Sequence, residues 1–399
     1  MTATQEPTVS QDRVKNFDYT ATQPAGQWFS TYDSLREQFP WYRNEFAQGF
    51  WTFVNHEGIL QVLQDPETFS SSSVVAMDPD PAYKWIPEML DGAEHTMWRQ
   101  QLGPLFSPKT IDKLEDKVRS RAVGFIEAIQ DKGECDFMLD FAQQYPSSVF
   151  LELMGLPFED LDQFMEWEHA ILHGEQGAPD HAEKQMAAMQ AVMGYFAQVV
   201  AARREEPKDD IITKALTFTI DGAPPSDEDL LSFCLLMFMA GLDTVAVTLG
   251  WSIHHLATHP EDRQRLVDDP SLIPTAIEEF LRVYAIVLPS RKATRDAEVQ
   301  GCQIKAGEMV SLPLNAATRD SASFEDAQQA DITRSPNNHI AFGAGPHRCL
   351  GSHLARRELK IALEEWHKRI PHYRVKDGAA LTESGGQLGL HGLPLEWDV

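Results

Sequence analysis

The chain has 399 residues, 43% of them hydrophobic and 24% charged, with 34 basic against 60 acidic side chains and a formal charge of −26. This length and apolar content can bury a large core, while the acidic excess argues against nucleic acid or an anionic membrane as partner, since both demand basic patches. The four cysteines, Cys135, Cys234, Cys302 and Cys349, form no C-x-x-C pair, which excludes a zinc ribbon and a disulfide framework and fits a reducing cytoplasm.

The opening MTATQEPTVSQDR has no basic stretch followed by an apolar one, so neither signal peptide nor anchor is expected. Residues 1–15 read as a flexible tail. No repeat or low-complexity linker interrupts the rest, so 16–399 reads as a single domain. WYRNEF and GFWTFVNH predict an aromatic-rich strand pair near residues 41–55. From about 97 to 205 the apolar spacing is helical, as in VRSRAVGFIEAIQ. DGAPPSDEDL then makes a turn and a helix start, with Ser226 as cap and Asp229 three residues on.

That helix is expected to run to about Thr258, before Pro260. Its span LLSFCLLMFMAGLDTVAVTLGWSI is apolar enough for a membrane crossing. Asp243 near its centre would cost roughly 2.5–3.5 kcal/mol there, and no basic flank sets an orientation. It reads instead as a central core helix, apolar on nearly every face. Strand-like pieces return at EVQGCQI, EMVSLPL and LPLEWDV. The fold class is mainly α with small β-sheets.

Residues 341–351 read AFGAGPHRCLG and lead into SHLARRELKIALEEW, where Ala355, Leu359, Ala362 and Trp366 trace one helical face. Cys349 therefore meets the positive end of a helix and its unpaired N–H groups, which favour thiolate over thiol. Gly343, Gly345 and Gly351 leave room beside the sulfur and permit positive φ. Such a loop suits an axial metal ligand, although an inert cysteine in a turn has the same local description. Phe342, Gly345, Cys349 and Gly351 fit F-x-x-G-x-x-x-C-x-G with His347 in place, and this ten-residue pattern resembles the haem-binding loop of the cytochrome P-450 monooxygenases. The resemblance makes Cys349 the proximal iron ligand of a haem.

Two further stretches agree with it. In TAIEEFLRVY, Glu279 and Arg282 stand three apart on one face, an everyday surface ion pair if taken alone. The family carries E-x-x-R on the helix before the haem loop, with a third member upstream of the loop that Arg334 matches. In MAGLDTVAVT, Ala240, Gly241, Asp243 and Thr244 match the family's signature in the central helix. Gly241 costs about 1 kcal/mol inside a helix, and close approach to haem or a local opening of the helix is the expected reason. An acid beside a hydroxyl in an apolar helix suits proton delivery, whereas the plainer alternative is a back-bonded Asp–Thr pair.

The family's propionate-binding positions fall on His95, Arg99, Arg291 and His347. His255 and His259, four apart, lack the further ligands that a zinc site needs. The resemblance covers nearly the whole chain, from His95 through Trp397. It implies the cytochrome P-450 fold, with one haem b between the central helix and the cysteine-loop helix, and insertion of one atom of O2 into an organic substrate. Electrons would come from NAD(P)H through a ferredoxin and its reductase. A peroxide-driven peroxygenase and a haem-based sensor are the alternative functions. Arg348, Arg356, Arg357, Lys360, Lys109, Lys113 and Lys117 suggest a docking face for an acidic ferredoxin. By position in the family, Tyr83, Leu236, Met239, Ala240, Val287, Leu288 and Leu390 line a pocket for a hydrophobic small molecule, with Tyr83 or Trp85 able to anchor a polar group. A cytoplasmic monomer is expected.

Overall fold

The computed structural model describes residues 10–173 and 180–399. They divide into two compact units, each sewn from separated pieces of sequence. The first combines residues up to Ala82 with Pro274–Cys349 and Ala380–His391; the second combines Tyr83–Ile273, Leu350–Ala379 and Gly392–Val399. Cys349 is thus the last residue of a first-unit segment, and the helix that follows it belongs to the second.

Sheet content concentrates in the first unit. Trp41–Asn44 and Phe50–Phe53 form the expected aromatic pair, antiparallel with Trp41 opposite Phe53. Aromatic side chains suit such strands because a pleated surface accommodates wide, flat groups. Trp41 and Trp51 pack edge to face at 5.6 Å, with Arg13 over the former and Arg43 over the latter. Met309–Ser311, Ser290–Ala293 and Phe69–Ser70 extend this sheet on one side and Val14–Lys15 on the other. Of the stretch read as a tail, residues 1–9 lie outside the described residues; Gln11–Arg13 form a 3-10 turn, and Val14–Lys15 pair in parallel with Arg43–Asn44. Ala297–Val299 and Cys302–Ile304 form a separate hairpin.

The second unit is built on the helix Asp227–Thr258. Ser226 Oγ accepts the Asp229 N–H, and the Asp229 carboxylate accepts the Ser226 N–H, so both halves of the capping box form. From Leu242 to Ala257 nearly every side chain is buried. Among the described helices this one is long and apolar enough to cross a membrane, with 61% of its apolar window buried inside the protein. Gln144–Met154, Leu161–Glu168 and His181–Glu205 pack with it around Phe164, whose ring meets Phe150, Tyr195, Phe196 and Phe238. Gly250 matters at the other end, because a Cβ there would lie 2.5 Å from Met138 Sδ. A small antiparallel sheet joins Arg374–Val375, Pro394–Glu396 and Glu134–Asp136.

Candidate active site

Three of the four thiols are buried among other side chains, and burial raises their pKa: Cys234 and Cys302 to about 12, Cys135 further. Cys349 alone is exposed. Its loop is held by backbone bonds that leave the sulfur outside: the Cys349 N–H donates to Phe342 O at 2.8 Å, and the Gly343 N–H donates to Ile340 O at 2.8 Å. Gly343 and Gly345 have φ of +71° and +70°, a region that costs other residues energy. Gly345 has a second constraint, since a Cβ there would collide with the Leu63 carbonyl. Gly345–His347 form one 3-10 turn and bury His347, while Gly351 caps the helix Ser352–Arg369. On the strand Ser290–Ala293, Arg291 is buried and donates to Ser290 O at 2.7 Å.

Behind the loop, Glu279 and Arg282 are both fully buried. The guanidinium grips the carboxylate through Nε and Nη2 at 2.8 and 2.7 Å. Its remaining N–H groups donate to the carbonyls of Thr318, Ala327 and Gln329, so all five donors are used. Arg334 Nε reaches both carboxylate oxygens at 3.1 Å. A buried pair is tolerable only when satisfied to this degree. Two members are absent from the motif-based reading: Asn337 Nδ2 donates to Glu279 Oε2 at 3.0 Å, and the Asp331 N–H to Oε1 at 2.8 Å. His339 adds another tie, with Nε2 at 3.0 Å from Glu278 and Nδ1 accepting the Ala341 N–H. The polar run SPNNH before the loop was the available signal, but it identifies no partner by itself.

In the second unit, the Gly92–Leu102 helix carries buried His95 and half-buried Arg99 one turn apart. On the central helix, Asp243 is 1% exposed. Leu236, Met239, Ala240 and Thr244 are less buried than their neighbours and form an open stripe. Thr244 Oγ1 donates to Ala240 O at 3.1 Å, the back-bonded arrangement. The helix stays α throughout Asp227–Thr258, so of the two reasons expected for Gly241 the local opening is not found. Packing within the chain also favours glycine here, because a Cβ would lie 2.8 Å from Phe150 Cδ2.

Tyr83 and Trp85 pair at 5.1 Å between ring centres, and the buried Trp85 indole N–H has no acceptor among the described residues. In the first unit, Val287 and Leu288 are half-buried and Leu390 is buried. His255 and His259 stack at 4.1 Å, and His255 Nε2 lies 3.1 Å from Asp262. Among the described residues no cluster of three potential ligands surrounds them. Of the basic residues suggested for docking, Arg357 is paired with Asp112 and Glu115, Lys117 with Glu152, and Lys360 with Glu364.

Comparisons with known proteins bear on the family. The family model described as cytochrome P-450 matches residues 176–270 and 268–369. A protein of Sinorhizobium fredii named "probable cytochrome P-450 127A1" is 37% identical over 354 residues, covering 88% of this chain and 84% of the relative. The mycinamicin IV hydroxylase/epoxidase of Micromonospora griseorubida is 31% identical over 84% of this chain and 85% of its own length. The crystal structure of CYP101J2 superposes with a TM-score of 0.89 at 32% identity, covering 98% of both chains.

Proposed function

The chain belongs to the cytochrome P-450 family and is a monooxygenase of it; from that premise we propose that it hydroxylates a hydrophobic small molecule, with electrons passed from NAD(P)H through a reductase and a ferredoxin. The observation that carries the reading is the contrast between three buried thiols and the exposed Cys349 on its glycine-shaped loop. A soft, accessible sulfur beside small residues is what an iron porphyrin needs from its proximal side. Haem b, when bound, supplies the iron at which O2 is activated.

The side chains then divide the work. Cys349 Sγ holds the iron. His95, Arg99, Arg291 and His347 supply donors for two propionates. Glu279, Arg282 and Arg334, with Asn337, keep the backbone behind the loop fixed. Asp243 and Thr244 Oγ1 would hold and pass protons, and by their position in the family Leu236, Met239, Ala240, Val287, Leu288, Leu390 and Tyr83 would line the substrate pocket and exclude water. We assign this work to a cytoplasmic, monomeric protein whose residues 16–399 act as one catalytic domain.

The test is turnover of the haem-loaded protein with isotopically labelled O2, NAD(P)H, ferredoxin and reductase. Label in the hydroxylated product is the expected result. Turnover on hydrogen peroxide alone would replace this reading with a peroxygenase. A red-shifted ferrous–CO Soret band without any turnover would replace it with a sensor.

A further inference from the structure

Glu383 lies on the short strand Thr382–Glu383, paired antiparallel with Gln23–Pro24. Its carboxyl is fully buried, where an acid ordinarily requires a cation. The groups that reach it are instead peptide N–H groups. Trp28 N–H donates to Oε1 at 2.7 Å, and the N–H groups of Gly26 and Gln27 pull on the same carboxylate, while Oε2 is buried with no hydrogen-bond partner among the described residues. These residues open the helix Gln27–Gln38, whose own cap, Gly26, has φ of +82° and no side-chain oxygen to offer. Glu383 does from the far end of the chain what a serine or aspartate does locally at a helix start.

The strand continues into a tight hairpin. Ser384 N–H donates to Gly389 O at 2.9 Å, and His391 N–H donates to Thr382 O at 3.0 Å. Leu390 forms a bridge directly opposite Glu383. Gly385 lets the hairpin lie against the Tyr19 carbonyl, where a Cβ would collide. We propose that Glu383 is a positioning residue: by capping the first long helix across the sequence, it fixes the 382–391 hairpin and the Leu390 side chain that the hairpin presents. The consequence for substrate rests on the reading of Leu390 as pocket wall.

Among the described residues, no cation on the packed elements lies within ion-pair distance of Glu383, and Asp33 on the helix is paired with Arg36 and Arg319. Gln23 lies opposite on the paired strand, and Gln27 and Trp28 begin the helix. Asp18, beside Tyr19, is held by Thr20, and His391 on the hairpin by Thr382. Burial therefore pushes the Glu383 carboxyl up to about 7, against the opposing pull of the three backbone N–H groups. An acid whose pKa is higher in the closed hairpin than in the open one stabilises closure at low pH and loses that effect as pH rises through about 7. Between about pH 6 and about pH 8 the opening equilibrium should rise about tenfold.

Hydrogen exchange of the holoenzyme, corrected for intrinsic rates, tests this at both pH values. Wild type should show the pH-dependent opening in residues 384–391, and Glu383→Gln, which mimics the neutral acid, should stay protected at both. Glu383→Ala should lose protection in the hairpin and at the start of the Gln27–Gln38 helix together. Unchanged hairpin protection in Glu383→Ala, or a pH dependence that survives in Glu383→Gln, overturns the assignment. Titration with 4-phenylimidazole separates the pocket reading: Leu390→Ala should weaken its binding severalfold, and Glu383→Ala should do so with it. If Leu390→Ala binds like wild type, the pocket reading fails while the exchange result still decides the role of Glu383.

Discussion

A Cβ on Gly241 in the central helix would lie 2.8 Å from the Phe150 ring. Gly241→Ala gains up to about 1 kcal/mol of helix propensity but overpacks the ring, at a cost of about 1–3 kcal/mol. Net destabilisation in urea unfolding is expected, and Phe150→Leu in the same chain should relieve it. Equal effects of Gly241→Ala in both backgrounds would remove Phe150 as the cause. A different logic governs Arg282, whose five donors are all engaged at zero exposure. Lysine cannot reproduce that planar fork. Arg282→Lys should therefore cost on the order of 3–5 kcal/mol, as breaking a buried pair does, with thermal unfolding of apo and haem-loaded protein as the measure. Thr244→Ala removes the hydroxyl bonded to Ala240 O. The proposed role predicts continued NAD(P)H oxidation with peroxide in place of product, and full coupling in that variant would take Thr244 out of proton delivery.

Between elements, a charged seam ties Glu115–Glu127 to Ser352–Arg369, the helix that follows Cys349. Glu365 is nearly buried, which alone would raise its pKa. Hydrogen bonds from Lys368, Arg369 and Arg119 outweigh that and hold it down at about 2. A carboxylate with a lowered folded pKa stabilises the fold above its unfolded value, and that contribution fades as pH falls toward about 2. Glu365→Gln should thus cost on the order of 3 kcal/mol near neutrality, with the gap to wild type closing below about pH 4. A gap independent of pH would assign the loss to packing instead. Elements of this kind were legible unevenly. The capped central helix, the aromatic strand pair and the cysteine loop were readable because period, cap and turn chemistry are local. Glu365 with Arg119, Asn337 with Glu279, Glu383 with Trp28 and Gly241 with Phe150 were not, because each pairs residues far apart in the chain and no periodicity marks the partner.

At the scale of the whole molecule, the charge of −26 works against the acidic ferredoxin proposed as electron donor. Several cations that would attract it are already neutralised, Arg357 by Asp112 and Glu115 and Lys117 by Glu152. Lys109 and Lys113 have no ion-pair partner among the described residues and remain to contact an acidic surface. At about 0.01 M salt the Debye length is about 30 Å, so the partner meets the net charge and is repelled. At about 0.1 M it shrinks to about 10 Å, which screens the distant acids while leaving a contact between lysine and carboxylate effective. The rate of ferredoxin association, followed by stopped flow, should rise over that range and fall again toward about 1 M, where the local attraction is screened too. Charge reversal at Lys109 and Lys113 should abolish the fall and slow association at the maximum. A rate that drops steadily from the lowest salt would mean that opposite net charges steer the encounter, and the electron donor would then be a basic protein.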